Sequence, residues 1–302
     1  MKAKNNLKLV YSDRYHVDIG PHVFPTEKYR LVKDRLASED GLGEEYFISP
    51  GIPCDEDVFA VHTEEYIHKL KNAGLSSYEI QLMELPYSKG LVEASLLCVG
   101  GTILACRQAM KEGTGVHIGG GFHHAFPDHG EGFCVLNDIA CGIRAAQKYD
   151  AAGKVLVVDC DLHQGNGTAF IFRDDDSVFT FSIHQENNYP YLKPPGSMDI
   201  GLEDGAGDGE YINSLEKNIP CIIKSFGPEL MVYVAGADPY RKDVLGGLAL
   251  TLEGLKKRDE LVIGLARAGK IPYAVVLAGG YAEDVDDTVT IHYNTIKTAI
   301  GR

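Results

Sequence analysis

Short runs of consecutive apolar residues alternate along this chain with longer segments in which apolar residues recur at helical spacing. A run that is apolar at every position is typical of a strand covered on both faces, as in a parallel sheet. Alternation of such strands with helices predicts a three-layer α/β/α fold in a single domain, residues 1–302. The predicted strands are Leu7–Tyr11, Gly115–Ile118, Val155–Val158, Val178–Ile183, Leu230–Ala235 and Tyr273–Leu277. The clearest predicted helices are Thr26–Ser38, Thr63–Ala73, Leu91–Lys111, Asn137–Tyr149, Tyr211–Ser225 and Leu252–Ala268.

The charge of the chain limits its partners. Its 302 residues include 43 acidic and 29 basic side chains, which gives a net charge of −14 at pH 7. Because nonspecific binding to nucleic acid needs a basic surface, we expect no nucleic-acid partner. A basic partner or substrate is electrostatically compatible with this charge.

The cysteines and the apolar segments favour a reduced, cytoplasmic protein. The seven cysteines are scattered and none has Cys-x-x-Cys spacing, which argues against a disulfide framework and against zinc-finger sites. No unbroken apolar run approaches the roughly 20 residues of a membrane span. The apolar stretch Leu7–Tyr11 is too short for the core of a signal peptide. We therefore expect a cytoplasmic protein with no membrane partner.

Chemically reactive side chains follow four of the predicted strands. Since ligands of parallel sheets bind beyond the carboxyl ends of the strands, these segments form the candidate site. They are Gly-Gly-Gly-Phe-His-His at 119–124, Asp-Cys-Asp-Leu-His-Gln-Gly-Asn-Gly at 159–167, Gly-Ala-Asp-Pro at 236–239 and Ala-Gly-Gly-Tyr at 278–281. Glycines are common in such turns, but so many histidines and aspartates are not.

The segment at 159–167 predicts a metal site. Asp159, Asp161 and His163 alternate at period two, which places their side chains on one side of an extended segment. Two carboxylates and an imidazole can hold a divalent ion, and Asp238 from another strand end could complete the set. Three protein ligands and a water make an open catalytic zinc site. A site of this kind without a thiolate also suits iron(II), so these residues leave the metal open.

The adjacent His123 and His124 follow three glycines, which let the backbone approach a bound substrate closely. Two imidazoles near a metal-bound water predict general acid–base catalysis, with one as base and the other as acid or electrostatic stabiliser. Each ring needs an orienting partner, and Asp159 and Asn166 are candidates because neither is needed as a metal ligand. Tyr281, which follows two glycines, can stabilise an oxyanion with its hydroxyl.

Together, these motifs resemble those of the metal-dependent histone deacetylase superfamily, nearly from end to end of the chain. The four segments above and Gly-Phe-Cys-Val-Leu-Asn-Asp at 132–138 occur in the order of that family. Residues 246–260 and His-Gln-Gly-Asn-Gly at 163–167 are most similar to the class IV branch and its bacterial relatives. The resemblance implies the arginase/deacetylase fold, with a mostly parallel eight-stranded sheet between layers of helices.

The resemblance also implies roles for individual residues. The implied zinc ligands are Asp161, His163 and Asp238. The implied catalytic residues are the acid–base pair His123 and His124, the groups behind them, Asp159 and Asn166, and the carbonyl-polarising hydroxyl of Tyr281. The implied walls of the acyl-lysine channel are Gly132, Phe133, Tyr189 and Leu245. The implied potassium ligands near the active site are Asp159, Asp161, His163, Ser182 and Ile183, and a second, structural potassium would lie near Phe172, Asp175 and Val178.

Three features depart from the pattern of the best-known class. Gln164 and Asn166 stand where that class has histidine and aspartate, and the neutral Asn166 leaves open which histidine of the pair is the base. We align no residue with the rim aspartate that some members use to bind a peptide backbone. Asp128 and His129 follow the histidine pair and could line the rim, although a solvated loop is the alternative.

The resulting functional prediction is metal-dependent hydrolysis of an acyl amide, most simply acetyl-lysine in a protein or peptide. An acetylpolyamine, another small acylated amine or a longer fatty-acyl amide would use the same residues. A dinuclear manganese ureohydrolase shares the fold but needs more aspartate ligands. The non-enzyme alternative is a catalytically silent binding protein, although such members usually lose a ligand or the tyrosine, and all are present here. The sequence does not indicate the oligomeric state.

Overall fold

The computed structural model describes residues 7–302, which form eight strands and ten helices. The strands are β1 (Leu9–Val10), β2 (Phe47–Ile48), β3 (Thr114–His117), β4 (Val155–Asp159), β5 (Val178–Gln185), β6 (Met198–Leu202), β7 (Leu230–Val234) and β8 (Tyr273–Val276). The helices are α1 (Lys28–Asp40), α2 (Asp55–Phe59), α3 (Glu64–Lys71), α4 (Ser77–Met83), α5 (Lys89–Glu112), α6 (Asp138–Asp150), α7 (Asn166–Phe172), α8 (Asp208–Phe226), α9 (Leu252–Ala268) and α10 (Val285–Ile300).

The eight strands form one sheet in the order β2–β1–β3–β8–β7–β4–β5–β6, and every neighbouring pair is parallel. Every residue of β4, β7 and β8 is buried, so both faces of the central sheet are covered. Two groups of helices provide this cover: α5, α6 and α7 pack together, and α1, α10, α9 and α8 pack in series. The predicted α/β fold with an eight-stranded sheet is confirmed, and the described sheet is entirely parallel.

The six predicted strands are all present, but the apolar pattern does not predict β2 and β6, which lie at the two edges of the sheet. Strand β2 has only two residues, and in β6 partly buried and exposed positions alternate, so neither shows a continuous apolar run. Helix α10 is missed for a related reason. Its buried face includes the polar residues Thr288, His292 and Thr295, so the helical apolar pattern is weak in the sequence.

Helix α5 is the longest helix and a large part of the core. The side chain of Ser88 accepts a hydrogen bond from the amide of Leu91 (3.0 Å) and begins the helix, and Gly113 ends it with a left-handed φ of 86°. By length and composition alone this helix could cross a membrane, but 78% of its most apolar window is buried inside the fold. Such burial is typical of the core helix of a sheet protein. The helix contains no long unbroken apolar run, so the sequence analysis does not identify it as a candidate membrane span.

Candidate active site

The four segments that carry the candidate chemistry lie side by side. They follow β3, β8, β7 and β4, which are consecutive neighbours in the sheet. Because these strands are parallel, their carboxyl ends open at the same edge of the sheet. The strand order therefore brings together side chains that are more than one hundred residues apart in the chain.

Backbone amides hold the carboxylates of Asp161 and Asp238, which follow β4 and β7. Oδ1 of Asp161 accepts a hydrogen bond from the amide of His163 (3.0 Å), and Oδ2 accepts one from the amide of Gly279 (2.8 Å). Oδ1 of Asp238 accepts a hydrogen bond from the amide of Leu162 (3.0 Å). These bonds connect the ends of β4, β7 and β8, so each carboxylate is oriented by an amide that follows another strand of the sheet.

Asp161, His163 and Asp238 form a buried cluster in which one ligand atom of each lies within 4.8 Å of the others. Nδ1 of His163 lies 3.1 Å from Oδ1 of Asp161 and 3.3 Å from Oδ2 of Asp238. That Oδ2 atom is buried and, within residues 7–302, has no partner in hydrogen-bond geometry. Burial lowers the pKa of His163, but Asp161 and Asp238 raise it to about 10, so the cluster attracts positive charge. Two carboxylates and one imidazole with an unsatisfied buried oxygen fit a divalent cation such as zinc.

Two glycines make room for this cluster. A Cβ atom at Gly236 would lie 2.5 Å from Oδ2 of Asp161 and 2.6 Å from Oδ1 of Asp238, which is closer than real side chains approach. A Cβ atom at Gly279 would collide with the carboxylate of Asp238. The carboxylates can converge only because the backbone carries no side chain at these two positions.

His123 and His124 lie beside the cluster and face each other, with their Nε2 atoms 3.0 Å apart. Nδ1 of His123 is 2.8 Å from Oδ2 of Asp159, and Nδ1 of His124 is 2.7 Å from Oδ1 of Asn166. Nε2 of His123 is 3.7 Å from Oδ1 of Asp161, one of the three cluster residues. The structure thus brings both candidate orienting groups to the pair, Asp159 to His123 and Asn166 to His124.

The two histidines differ in charge. Burial lowers the pKa of both rings, but Asp159 and Asp161 raise the pKa of His123 to about 9. The pKa of His124 stays well below its ordinary value, because burial and the charge of His123 outweigh the hydrogen bond with Asn166. At neutral pH His123 is therefore cationic and His124 is neutral. The proton on Nε2 of His123 then points at a lone pair on Nε2 of His124.

The glycine-rich loop before the histidine pair is held by Asp138 at the start of α6. The Asp138 carboxylate accepts hydrogen bonds from the amides of Gly121 (3.0 Å) and Phe122 (2.7 Å) and contacts the hydroxyl of Thr102. Gly120 and Gly121 have φ values of 70° and 89°, a region that favours glycine. Asp138 therefore sets the position of both histidines, although the sequence pattern gives it no role beyond the family motif.

Tyr281 lies on the opposite side of the site. Its ring packs edge-on against Phe24 and Phe133, at centroid distances of 6.2 and 5.8 Å. Its amide donates a hydrogen bond to Oδ2 of Asp243 (2.7 Å), and Oδ1 of Asp243 accepts one from the amide of Leu245 (2.9 Å). One carboxylate therefore connects the tyrosine loop to a channel wall, and the sequence analysis does not single it out. Burial raises the pKa of Tyr281, so the phenol keeps its proton.

A lysine that the sequence analysis also misses lies behind Tyr281. Lys28 is fully buried, and its Nζ donates a hydrogen bond to the carbonyl oxygen of Ala278 (2.7 Å). The same atom lies 5.4 Å from the ring centroids of Phe24, Tyr29 and Tyr281. Burial lowers the pKa of Lys28 to about 8. A lysine at the start of a helix is usually exposed to solvent, so the local sequence does not indicate that Lys28 is buried.

A cleft of about 160 Å³ leads from the surface to this site. It contains all four predicted channel residues and three residues of the candidate chemistry: Gly132, Phe133, Tyr189, Leu245, His124, His163 and Tyr281. Glu84 and Asn188 also line it and are not predicted from the sequence. Glu84 directly follows α4 in a left-handed conformation, with a φ of 56°, which is uncommon for a residue other than glycine.

Asp128 and His129, which follow the histidine pair, are not among the residues that line the cleft. Asp128 is exposed, and its Oδ1 is 2.7 Å from Nδ1 of His129. The His129 ring stacks on Phe126 at a centroid distance of 4.7 Å, and its Nε2 is 3.4 Å from Oε2 of Glu131. This arrangement corresponds to the solvated-loop alternative for Asp128, while His129 contacts a carboxylate next to the site.

The residues implied for potassium lie in two places. Asp159 pairs in register with Ser182 across β4 and β5, and Ile183 follows Ser182 in the same strand. The other set shares one turn, in which the carbonyl of Phe172 accepts a hydrogen bond from the amide of Asp175 (3.0 Å) and the carbonyl of Asp175 accepts one from Val178 (3.1 Å). Potassium binding at either place stays a prediction, as does the cytoplasmic location.

The part of the chain that matches known proteins includes the candidate site. A family model described as "Histone deacetylase domain" matches residues 22–296. An uncharacterized protein of Picosynechococcus sp. is 39% identical over 285 residues, which cover 94% of this chain and 95% of that protein. Histone deacetylase 2 of Arabidopsis thaliana is 31% identical over 290 residues, or 92% of this chain and 75% of its own length.

Two further matches extend this similarity. Acetoin utilization protein AcuC of Bacillus subtilis is 29% identical over 300 residues, which cover 90% of this chain and 76% of that protein. Among solved structures, the HD domain of HDA15 superposes with a TM-score of 0.81 over 98% of this chain and 91% of that chain. At 24% identity the last match shows a shared fold.

Proposed function

Since this chain belongs to the histone deacetylase family, we propose that it is a zinc-dependent deacetylase that hydrolyses acyl amides on lysine side chains of proteins or peptides. Family membership supports the coarser assignment, an amide deacetylase of the hydrolase class. The finer proposal rests on one observation, the convergence of the Asp161–His163–Asp238 cluster, the histidine pair and Tyr281 next to one cleft, which His163, His124 and Tyr281 line. Membership of the class IV branch stays a prediction.

Asp161, His163 and Asp238 would hold the zinc, which when bound lowers the pKa of a coordinated water and polarises the acyl carbonyl; iron(II) suits the same ligands. Gly236 and Gly279 keep the space around these ligands free of side chains. The amides of Leu162 and Gly279 hold the two carboxylates in place, so the ligands are oriented before a cation binds.

The protein's own groups then move the protons. Neutral His124 lines the cleft and takes the proton of the attacking water at Nε2 as general base, for which that atom gives up its contact with Nε2 of His123. Cationic His123, held by Asp159, stabilises the negative charge that develops on the acyl oxygen. The leaving amine takes its proton from this pair. The Tyr281 hydroxyl, protonated because it is buried, donates a hydrogen bond to the oxyanion.

The test uses a fluorogenic acetyl-lysine peptide and two substitutions. Asp238→Ala should lose bound zinc, measured by elemental analysis, together with turnover. Tyr281→Phe should keep its zinc and lose about 10²–10³-fold in kcat, the usual effect of removing one oxyanion donor. Asp174→Ala and Tyr149→Phe are the matched controls, because both side chains are exposed and lie outside the cleft. Turnover that survives both site substitutions would refute the mechanism.

The alternative substrate class is an acylated small amine such as an acetylpolyamine. It is favoured by the carboxylate of Glu84 in the cleft wall and by the net charge of −14, both of which attract a cationic amine chain. Comparing kcat/KM for an acetylpolyamine and an acetyl-lysine peptide in the wild-type protein and in Glu84→Gln decides between the classes. If Glu84 selects amines, the substitution lowers kcat/KM for the polyamine alone.

A catalytically silent binding protein with this fold is the non-enzyme alternative. All three candidate ligands, both histidines and the tyrosine are present and converge, which argues against it. A purified protein that holds no zinc and turns over no acyl amide in a broad screen would favour this alternative.

A further inference from the structure

The neutral Asn166 behind His124 has a second partner on its far side. Oδ1 of Asn166 lies 2.7 Å from Nδ1 of His124, and Nδ2 donates a hydrogen bond to Oε1 of Glu131 (2.7 Å). The hydroxyl of Tyr189 donates to the same Oε1 atom (2.9 Å). Glu131 thus forms the end of a chain that runs through one amide group to the candidate base.

This chain has a direction because an ionised carboxylate can only accept hydrogen bonds. Burial raises the pKa of Glu131, but hydrogen bonds from His129, Asn166 and Tyr189 outweigh burial, and the pKa lies below its ordinary value. Glu131 is therefore ionised at neutral pH, and Asn166 must present its NH₂ group to it. The amide oxygen of Asn166 then faces His124, which can only donate a proton from Nδ1 to it.

We propose that Glu131 is a positioning residue that, through the amide of Asn166, keeps the proton of His124 on Nδ1 and leaves Nε2 unprotonated. The inference rests on the proposed deacetylase function, in which His124 is the base. Glu131 itself lies outside the set of residues that line the cleft, so it acts through Asn166 and does not contact the reacting atoms.

Removal of the Glu131 carboxylate allows the side-chain amide of Asn166 to rotate by 180°. An asparagine side chain presents an oxygen on one side and an NH₂ group on the other, and the two orientations have nearly the same shape. In the turned orientation the NH₂ group faces Nδ1 of His124, which must then accept, so the ring proton moves to Nε2. There it faces Nε2 of His123, which must release its own proton to solvent and accept from His124. A ring with its proton on Nε2 cannot take a proton from water at that atom. An aspartate at position 166 would not have this ambiguity, since both of its oxygens accept.

The first measurement is the tautomer of His124, read from ¹⁵N chemical shifts of the zinc-loaded protein. The wild-type protein should show His124 protonated at Nδ1, and Glu131→Ala should shift the population towards Nε2. Glu131→Met fills a similar volume with only a weak acceptor and carries the same expectation if the alanine variant folds poorly. An unchanged Nδ1–H tautomer in these variants overturns the proposal, whether or not the protein is active.

The second measurement is a double-substitution cycle on kcat, assayed with the best acyl substrate of the wild-type protein. Glu131→Ala should lower kcat about 10–100-fold, within the range attributed to general acid–base catalysis, with a smaller change in KM. Asn166→Asp alone should also lower kcat, because it places a second carboxylate against Glu131. The double variant should recover at least tenfold in kcat over Glu131→Ala, because an aspartate fixes the His124 tautomer without help.

The sign of this coupling separates a positioning role from a structural one. A Glu131 that merely supports the loop would give a double variant no better than Glu131→Ala, and that result overturns the proposal. Tyr189→Phe removes another of the hydrogen bonds to Glu131 and leaves the one from Asn166 in place. A loss of kcat that Tyr189→Phe reproduces is therefore due to the channel wall. A wild-type protein without turnover would refute the proposed function, while the tautomer measurement would still decide the role of Glu131.

Discussion

Replacement of Arg258 by methionine should destabilise the protein strongly, although the residue lies outside the active-site cleft. Arg258 is on α9 and is fully buried. Its Nη1 donates hydrogen bonds to the carbonyl oxygens of Gly236 (2.5 Å) and Cys160 (3.2 Å), and its Nε donates one to Oδ1 of Asp259 (3.0 Å). Methionine fills a similar volume but supplies none of these donors.

The size of the stability loss in Arg258→Met depends on which buried groups lose their hydrogen-bond partner. Removal of one member of a buried ion pair costs about 3–5 kcal/mol, because the other charge stays buried without compensation. Here Asp259 keeps hydrogen bonds from the hydroxyls of Tyr233 (2.5 Å) and Thr295 (2.6 Å), which limits that loss. The carbonyl of Gly236 loses its Arg258 donor, which adds about 1–3 kcal/mol for an unpaired buried group. Since the first cost is reduced and the second is added to it, we expect Arg258→Met to lower the free energy of unfolding by about 4 kcal/mol.

The assay is urea unfolding followed by circular dichroism and tyrosine fluorescence, since the chain has no tryptophan. A chelator in every sample removes the contribution of metal binding to the free energy of unfolding. Arg258→Met combined with Asp259→Asn should be more stable than Arg258→Met alone by about 1–2 kcal/mol, because it removes the uncompensated charge. Arg173→Met, at an exposed pair with Asp174, is the control and should change stability by less than about 0.5 kcal/mol. A loss below about 1 kcal/mol in Arg258→Met, or no recovery in the double variant, would refute this account.

Three further predictions follow from individual side chains. Burial lowers the pKa of Lys28 from 10.5 to about 8, so the folded chain binds fewer protons between these values, and its free energy of unfolding should rise with pH across that window relative to Lys28→Met. Hydrogen bonds from Ser76 lower the pKa of Glu79 from 4.5 to about 2, so the stability that Glu79 contributes at the start of α4 should be lost as pH falls through that range. Urea midpoints should fall more steeply over this pH range in the wild-type protein than in Glu79→Gln. Gly279→Ala should weaken zinc binding about 10–100-fold by calorimetry, whereas Gly264→Ala, whose Cβ atom meets nothing within 4 Å, should leave it unchanged.

Local pattern was sufficient for those parts of the site that lie within one segment. The alternation of Asp159, Asp161 and His163 is visible in the sequence because it follows directly from the geometry of an extended chain. Asp238 could be proposed as the third ligand only because it also follows an apolar run. That β7 lies next to β4 is a property of the strand order, which no short stretch of sequence encodes.

The groups that the sequence analysis misses share a different property: each acts on a segment distant in the chain. Asp243 connects the Tyr281 loop to Leu245, Glu131 reaches Asn166, and Lys28 contacts the carbonyl of Ala278. Acidic and basic residues in loops and at helix starts are usually solvated, so residue type alone gives no reason to select these. Their roles become visible only when the backbone groups that they contact are known.

The candidate metal site therefore depends on the helix layer as well as on the strand ends. Arg258 on α9 donates hydrogen bonds to the carbonyls of Cys160 and Gly236. Cys160 directly precedes Asp161, and Gly236 lies two residues before Asp238. Because the same guanidinium contacts both ligand-bearing turns, its loss should relax their separation as well as the core. Stability and zinc affinity should consequently fall together in Arg258→Met, whereas in Gly279→Ala, where the clash is confined to the carboxylates, zinc affinity should fall much further than stability.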